Sequence, residues 1–470
     1  MFNFTATYTD MYQLSMAQVY FKKGKKDEPA IFDYYFRKIP YNGGYAIFAG
    51  LGDLLKTIEN LTFSKEDLDY LSTQDFDDDF IAYLRNFKFT GTIYSVQEGD
   101  FVFQTQPILQ VEATMVEAQI IETILLNLLN FQTLIATKAS RVKLVTKNKT
   151  LLDFGLRRAQ GPGGYFASKA AIIGGFNGTS NVVVGRDYNI PISGTMAHSF
   201  IQSYDNELDA FRDFAECRPK NCVLLVDTYN TLKSGVPNAI TVAKEMEARG
   251  QKLLAIRLDS GDLAYYAKQC RKLLDEAGLQ YVQIAVSNQL DEFVIKSLQE
   301  QEAPIDIYGV GTNLVIGKPN GALDGVYKLT YSSGKPRIKI SESLIKTTLP
   351  YRKQVYRMKD AQGNFIGADA IAIHSEDHVS QMHHPHEPYK QLEVGNFTQE
   401  PLLHAVMENG KKLIPDYTLT QIAEFSAQRL SQLSMEFKRF DNPHIYKIGI
   451  SSALKQERDL LISQYKKGKK

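Results

Sequence analysis

Between Leu151 and Leu329 short apolar runs recur, and each ends in glycine or polar residues. The runs are Leu151–Phe154, Ile192–Ala197, Cys222–Val226, Leu253–Leu258, Val282–Val286, Ile305–Val310 and Val326–Leu329, and most are separated by helix-length segments. Such alternation dictates a parallel sheet, because a parallel connection must cross the sheet face and a helix is its usual form. About seven repeats fit a closed barrel better than an open sheet. The pattern predicts an irregular βα barrel and places any ligand site at the carboxyl ends of its strands.

Those ends carry the candidate chemistry. They supply Arg157 and Arg158, His198, Asp227 with Thr228, Arg257 with Asp259, Ser260, Gly261 and Asp262, Ser287 with Asn288, and Gly309, Gly311 and Thr312. Cations, carboxylates, one imidazole and two donor-rich turns suit an enzyme that handles a phosphorylated, metal-chelated sugar. The densest stretch is Leu151–Ser180, where Leu151, Leu152 and Phe154 read as a buried strand. Arg157 and Arg158 follow, Gly161-Pro162-Gly163-Gly164 bars regular structure, and a helix is predicted over Ala167–Ile173. Next comes a turn with small polar donors, Thr179 and Ser180 among them.

Composition makes any anion site local. With 54 Lys and Arg against 53 Asp and Glu there is no net field to draw nucleic acid or an acidic membrane surface. The three cysteines, Cys217, Cys222 and Cys270, lack metal-type spacing and read as reduced packing residues of a cytoplasmic protein. The start, MFNFTATYTDMYQ, has no leader pattern, and no run approaches the roughly 18 apolar residues that span a bilayer.

Each candidate also has an ordinary reading. A lone histidine after an apolar run, as His198 is, serves equally well as a satisfied core residue. Arg257 and Asp259 share a strand face and can form a plain salt bridge before a Ser260-Gly261-Asp262 helix cap. Ser287-Asn288 and the Gly309–Thr312 turn can cradle phosphate, or simply turn the chain. The histidines between His374 and His386 read as a surface loop rather than a metal site, Asp75–Asp79 as a solvated loop, and Tyr12 as a residue of an amphipathic helix.

A length of 470 residues implies about two or three domains. A helix from about Met11, an aromatic strand over Ala30–Arg37, helices to about Phe87 and short strands within Thr92–Val111 predict an α+β domain over residues 1–130. Glu117–Lys147 is apolar almost all round and reads as a buried helix or helix pair. The barrel is assigned to 131–330. Strands at RIKIS, KQVYRM and NFIGADAIAI, then helices and a solvated Lys466–Lys470 tail, make up 331–470, a region expected to pack back on the first.

Taken together, several blocks resemble the nicotinate phosphoribosyltransferase family: YTDMYQLSMAQ (8–18), FDYYFRKIPYNGGYAIFAGL (32–51), DFGLRRAQGP (153–162), GGFNGTSNV (174–182), SGTMAHSF (193–200), RLDSGDLAYYAK (257–268) and IDIYGVGTNL (305–314). The resemblance covers most of residues 1–350 and implies a type II phosphoribosyltransferase-like fold. In that fold an N-terminal α+β open-faced sandwich and a C-terminal extension accompany the irregular βα barrel. It implies transfer of phosphoribosyl from phosphoribosyl pyrophosphate to nicotinate in NAD biosynthesis, with Mg²⁺, and with ATP hydrolysed through a phosphorylated His198. Arg257 and Asp259 would be catalytic with His198, Arg257 and Arg157 meeting the developing charge and Asp259 the ribose hydroxyls. Phe154 would stack on the pyridine ring, with Tyr12 from the other subunit of a homodimer on its second face. Thr179 and Asp227 would contact substrate, and Ser287, Asn288, Gly309, Gly311 and Thr312 would hold the 5′-phosphate. Nicotinamide phosphoribosyltransferase, the nearest competing enzyme, carries an aspartate where this chain has Ser180; an aspartate would repel the carboxylate of nicotinate. This chain also reads Gly161-Pro162-Gly163-Gly164 where relatives often have GPDG, which removes one acid from that loop. A catalytically silent sensor of phosphoribosyl metabolites is the reading from another class, and the full strand-end set argues against it.

Overall fold

The computed structural model describes residues 4–342 and 346–467. They divide into two compact units, Met1–Thr137 with Ala322–Lys470, and Lys138–Gly321. The last three residues of the expected Lys466–Lys470 tail lie outside the described residues.

The first unit holds an antiparallel sheet in the order Lys335–Pro336, Gly325–Ser332, Pro29–Phe36, Leu109–Thr114, Thr92–Ser95, His404–Glu408, Lys411–Lys412. Pro29–Phe36 is central because its aromatic run has a buried neighbour on either side, with Phe32 stacked on Tyr327 at 4.6 Å between centroids. A second, mixed sheet runs Gln391–Glu393, Gln381–His383, Lys447–Ser451, Phe365–Ile373, Lys353–Lys359, Thr398–Pro401. The expected strand at RIKIS does not form, since the strand pairing there ends at Pro336. The helix Glu122–Thr146 has most of its side chains buried, as its apolar surface requires, and runs from one unit into the other.

The second unit is the βα region. Its parallel ladder runs Gly178–Thr179, Thr150–Asp153, Ile307–Val310, Gln283–Ser287, Ala255–Leu258, Val223–Leu225. Helices Gly163–Ile173, Val236–Ala248, Leu263–Glu276 and Glu292–Glu300 make the crossovers. The ladder does not close among the described residues, and two of the seven apolar runs explain why. Ile192–Ala197 contributes one bridge, Ile192 to Thr179; Ile192 is exposed, Met196 is its one buried side chain, and the rest runs as a loop. Val326–Leu329 pairs with Pro29–Phe36 in the antiparallel sheet instead. The predicted helix at Ala167 begins earlier, at Gly163, so two of the loop glycines form its first turn. No described helix is long and apolar enough to cross a membrane.

Candidate active site

The strand carboxyl ends of the second unit converge on Arg257. Its Nε donates to Ser287 Oγ at 2.9 Å, Nη1 to Thr195 Oγ1 at 3.0 Å and to the Met196 carbonyl at 3.4 Å, and Nη2 to Asp259 Oδ1 at 3.0 Å. One side chain thus ties the ends of Ala255–Leu258 and Gln283–Ser287 to the loop before His198. Only 14% of it is exposed, so these bonds form where water competes weakly. Its guanidinium also lies 5.6 Å from the centroid of the Phe154 ring.

Asp259 continues the network. Its Oδ1 also accepts from Ser287 Oγ, while Oδ2 lies 3.9 Å from His198 Nε2. His198 opens a short helix and is 40% exposed; its Nδ1 lies 3.0 Å from Thr228 Oγ1, which leaves Nε2 toward the carboxylate. Asp227 accepts from the Asp259 amide and from Ser260 Oγ, both at 2.7 Å, through Oδ2 alone. Its Oδ1 is buried without a hydrogen-bond partner among the described residues. The ordinary reading of Arg257–Asp262 holds as well: the salt bridge is present, and Asp262 caps the next helix by accepting from the Tyr265 amide.

Phe154 follows the Thr150–Asp153 strand and donates its amide to Val310. Its ring lies against Gly309, where a Cβ would come within 2.4 Å of ring carbons. Gly309 is therefore a platform for that ring, with no side chain in the way. Asn288 holds φ 82°, a left-handed conformation that asparagine tolerates, and is exposed beyond the strand end. A cavity of about 270 Å³ lies between Ser260 and Gly261 on one side and Asn288 and Gln289 on the other. Gly311 and Thr312 turn the chain into the helix Thr312–Val315.

The other expected contact residues differ in their burial and partners. Thr179 is fully buried, its hydroxyl donating to Asp153 at 2.7 Å and accepting from the Asn181 amide at 3.0 Å, so no atom of it is left for a ligand. Ser287 is likewise buried and committed to Arg257 and Asp259. Both brace the site rather than line it. Arg157 and Arg158 are exposed on a short 3₁₀ turn and do not join the Arg257 network. Tyr12 belongs to the first unit and is 51% exposed. Ser180 donates its amide to the Asp153 carbonyl at 2.8 Å, and its half-buried hydroxyl makes no hydrogen bond among the described residues.

Sequence reasoning missed Asp153, Ser168 and Thr195. The first carried a signal, an acid inside the apolar run LLDF; Ser168 stood out only as one hydroxyl on an apolar helix. In the C-terminal region His383 Nε2 lies 2.9 Å from Ser452 Oγ, and His384 lies 3.6 Å from Glu387. Those histidines thus have local partners.

Models of the nicotinate phosphoribosyltransferase N-terminal domain, family and C-terminal domain match residues 7–130, 150–384 and 352–458. The nicotinate phosphoribosyltransferase of Bacillus subtilis (strain 168) is 44% identical over 454 residues, covering 94% of this chain and 92% of that one. That of Dictyostelium discoideum is 36% identical over 511 residues, 96% of this chain and 87% of that one. The crystal structure of human nicotinic acid phosphoribosyltransferase superposes with a TM-score of 0.86 at 29% identity, covering 96% of this chain and 99% of that one.

Proposed function

The chain belongs to the nicotinate phosphoribosyltransferase family, and on that premise we propose that the Arg257 cluster is where the phosphoribosyl group of phosphoribosyl pyrophosphate passes to nicotinate. It is an enzyme of NAD biosynthesis, giving nicotinate mononucleotide and pyrophosphate. The observation that carries the site assignment is the convergence of Arg257, Asp259 and His198 beside an aromatic wall at the strand ends.

The ring nitrogen of nicotinate already has a lone pair, so the reaction needs a stabilised leaving group more than a base. As the bond from the sugar carbon to pyrophosphate breaks, its electron pair goes to the pyrophosphate while the new carbon–nitrogen bond forms. Arg257 has five N–H donors, of which four point at protein acceptors, leaving one on Nη2 for an anion. Asp259 Oδ2 is the free carboxylate oxygen for ribose hydroxyls, and Phe154 offers a face to the pyridine ring. Asn288, Gly311 and Thr312, with Ser287 braced behind, surround the 5′-phosphate. Arg157, exposed on its short turn, would add charge from outside.

Asp227 suits Mg²⁺, because its buried Oδ1, without a hydrogen-bond partner among the described residues, is a hard oxygen donor for such a cation. The ion would neutralise pyrophosphate oxygens. ATP enters at His198: its Nε2, the nitrogen not engaged by Thr228, forms a bond to the γ-phosphorus as the bond to ADP breaks. With γ-labelled ATP the chain is expected to acquire acid-labile phosphate, and His198→Ala to acquire none. Label retained by that variant would mean another acceptor.

Ser180 would select the acid over the amide, presenting an uncharged hydroxyl to the nicotinate carboxylate. Ser180→Asp is expected to lower kcat/KM for nicotinate by on the order of 10², since juxtaposed like charges cost several kcal/mol; unchanged discrimination against nicotinamide would remove this explanation. Tyr12, with Met11 and Val19 exposed on the same helix, leaves an apolar face open to a second copy, in keeping with a homodimer whose sites are shared. Three unpaired cysteines suit a cytoplasmic enzyme.

A further inference from the structure

One buried carboxylate beside the site has no part in the chemistry above. Asp153 ends the Thr150–Asp153 strand and is fully buried. Strand alternation turns it away from the face of Leu152 and Phe154, toward the covering helix Gly163–Ile173. Ser168 on that helix donates to its Oδ2 at 2.7 Å, Thr179 donates to the same oxygen at 2.7 Å, and the Gly155 amide donates to Oδ1 at 2.8 Å. Its carbonyl accepts from the Ser180 amide, and Thr179 passes the connection to the Asn181 amide. The residue therefore fixes both the turn that follows Phe154 and the loop that carries Ser180.

We propose that Asp153 is a positioning residue that sets the spacing between the Phe154 ring wall and the Ser180 hydroxyl, and so tunes recognition of the pyridine acid. The inference rests on the readings of Phe154 and Ser180 above. Burial raises the Asp153 pKa, opposed by the bonds from Ser168, Thr179 and Gly155, none of them a cation. A carboxyl held this way costs stability that an apolar residue would not, which is reason to seek its use in specificity.

Thr179 gives the cleanest test, because it is fully buried and out of reach of substrate. Thr179→Val keeps the shape and removes the hydroxyl, Thr179→Ser keeps the hydroxyl, and Asp153→Asn keeps the size while removing one acceptor. Steady-state kinetics are measured for nicotinate, nicotinamide and phosphoribosyl pyrophosphate. Thr179→Val and Asp153→Asn are expected to raise KM for nicotinate about tenfold, the loss of roughly one buried hydrogen bond. They should also narrow the acid-to-amide ratio in kcat/KM while leaving KM for phosphoribosyl pyrophosphate within about twofold, and Thr179→Ser should behave as the native protein does. If Asp153→Asn does not fold, the Thr179 pair decides alone. An equal rise in both KM values, or lower thermal stability with discrimination intact, overturns the proposal. Ser180→Asp measured alongside separates the two readings. If it alone shifts discrimination, the positioning role fails and the selector stands; if it has no effect while the other variants do, the selector fails and Asp153 acts through the Phe154 wall.

Discussion

Arg257→Ala is expected to lower kcat/KM for phosphoribosyl transfer by on the order of 10²–10³, the effect of removing one preorganised donor from a developing anion. The size follows from position. Arg257 contacts Ser287, Thr195, Asp259 and the Phe154 ring together, and it does so largely shielded from water. Without it Asp259 keeps its bond from Ser287 but loses its cation, and the loop before His198 loses its tie to the sheet. Lysine does not substitute, since a single ammonium cannot span bonds fixed by a planar fork. Steady-state kinetics with both substrates varied, beside a thermal melt to establish folding, measure this. A folded Arg257→Ala enzyme within about threefold of native kcat/KM would remove Arg257 from the charge-stabilising role.

Arg357→Ala is expected to cost about 3–5 kcal/mol of stability, the range for breaking a buried pair from one side. Arg357 is fully buried, with Nη1 on Asp100 at 2.8 Å, Nη2 on Asp369 at 3.1 Å and on the Phe101 carbonyl at 2.6 Å. Arg429 adds two further bonds to Asp100 at 2.8 Å, and Tyr446 donates to Asp369 at 2.7 Å. Burial acts to raise the Asp100 pKa, but the charges of Arg357 and Arg429 hold it below the ordinary carboxylate range. Removing Arg357 strands Asp369 without its cation in the core. Chemical denaturation of Arg357→Ala beside Lys272→Ala, which breaks a solvent-exposed pair with Glu276, gives the comparison. The exposed pair is expected to be worth at most about 1 kcal/mol. Equal effects would mean that the buried network contributes no more than a surface contact.

The parallel strands were legible because a strand largely buried on both faces is mostly apolar. Leu253–Leu258, interrupted by Arg257, and Val282–Val286, interrupted by Gln283, therefore fall close to their observed positions. The same signal misled at Val326–Leu329, since apolarity does not say which sheet a strand joins. At Ile192–Ala197 a weak run buried Met196 alone, left Ile192 exposed and stayed a loop. Within the candidate site the convergence of His198, Arg257 and Asp259 was readable from their places at strand ends. Which hydroxyls line the site and which brace it was not. Thr179 and Ser287 are withdrawn by partners that only folding supplies, and Asp153 gains its meaning from Ser168 one helix away. The Asp100 network was beyond reach altogether, because Arg357 and Arg429 lie 257 and 329 residues from their common partner.

The most direct measurement incubates the purified chain with phosphoribosyl pyrophosphate, Mg²⁺ and ATP, offers nicotinate and nicotinamide in separate reactions, and quantifies the mononucleotides formed. The expected result is nicotinate mononucleotide from the acid, with little product from the amide and with Arg257→Ala strongly impaired. No product beside an active control enzyme, or faster turnover of the amide, would contradict it.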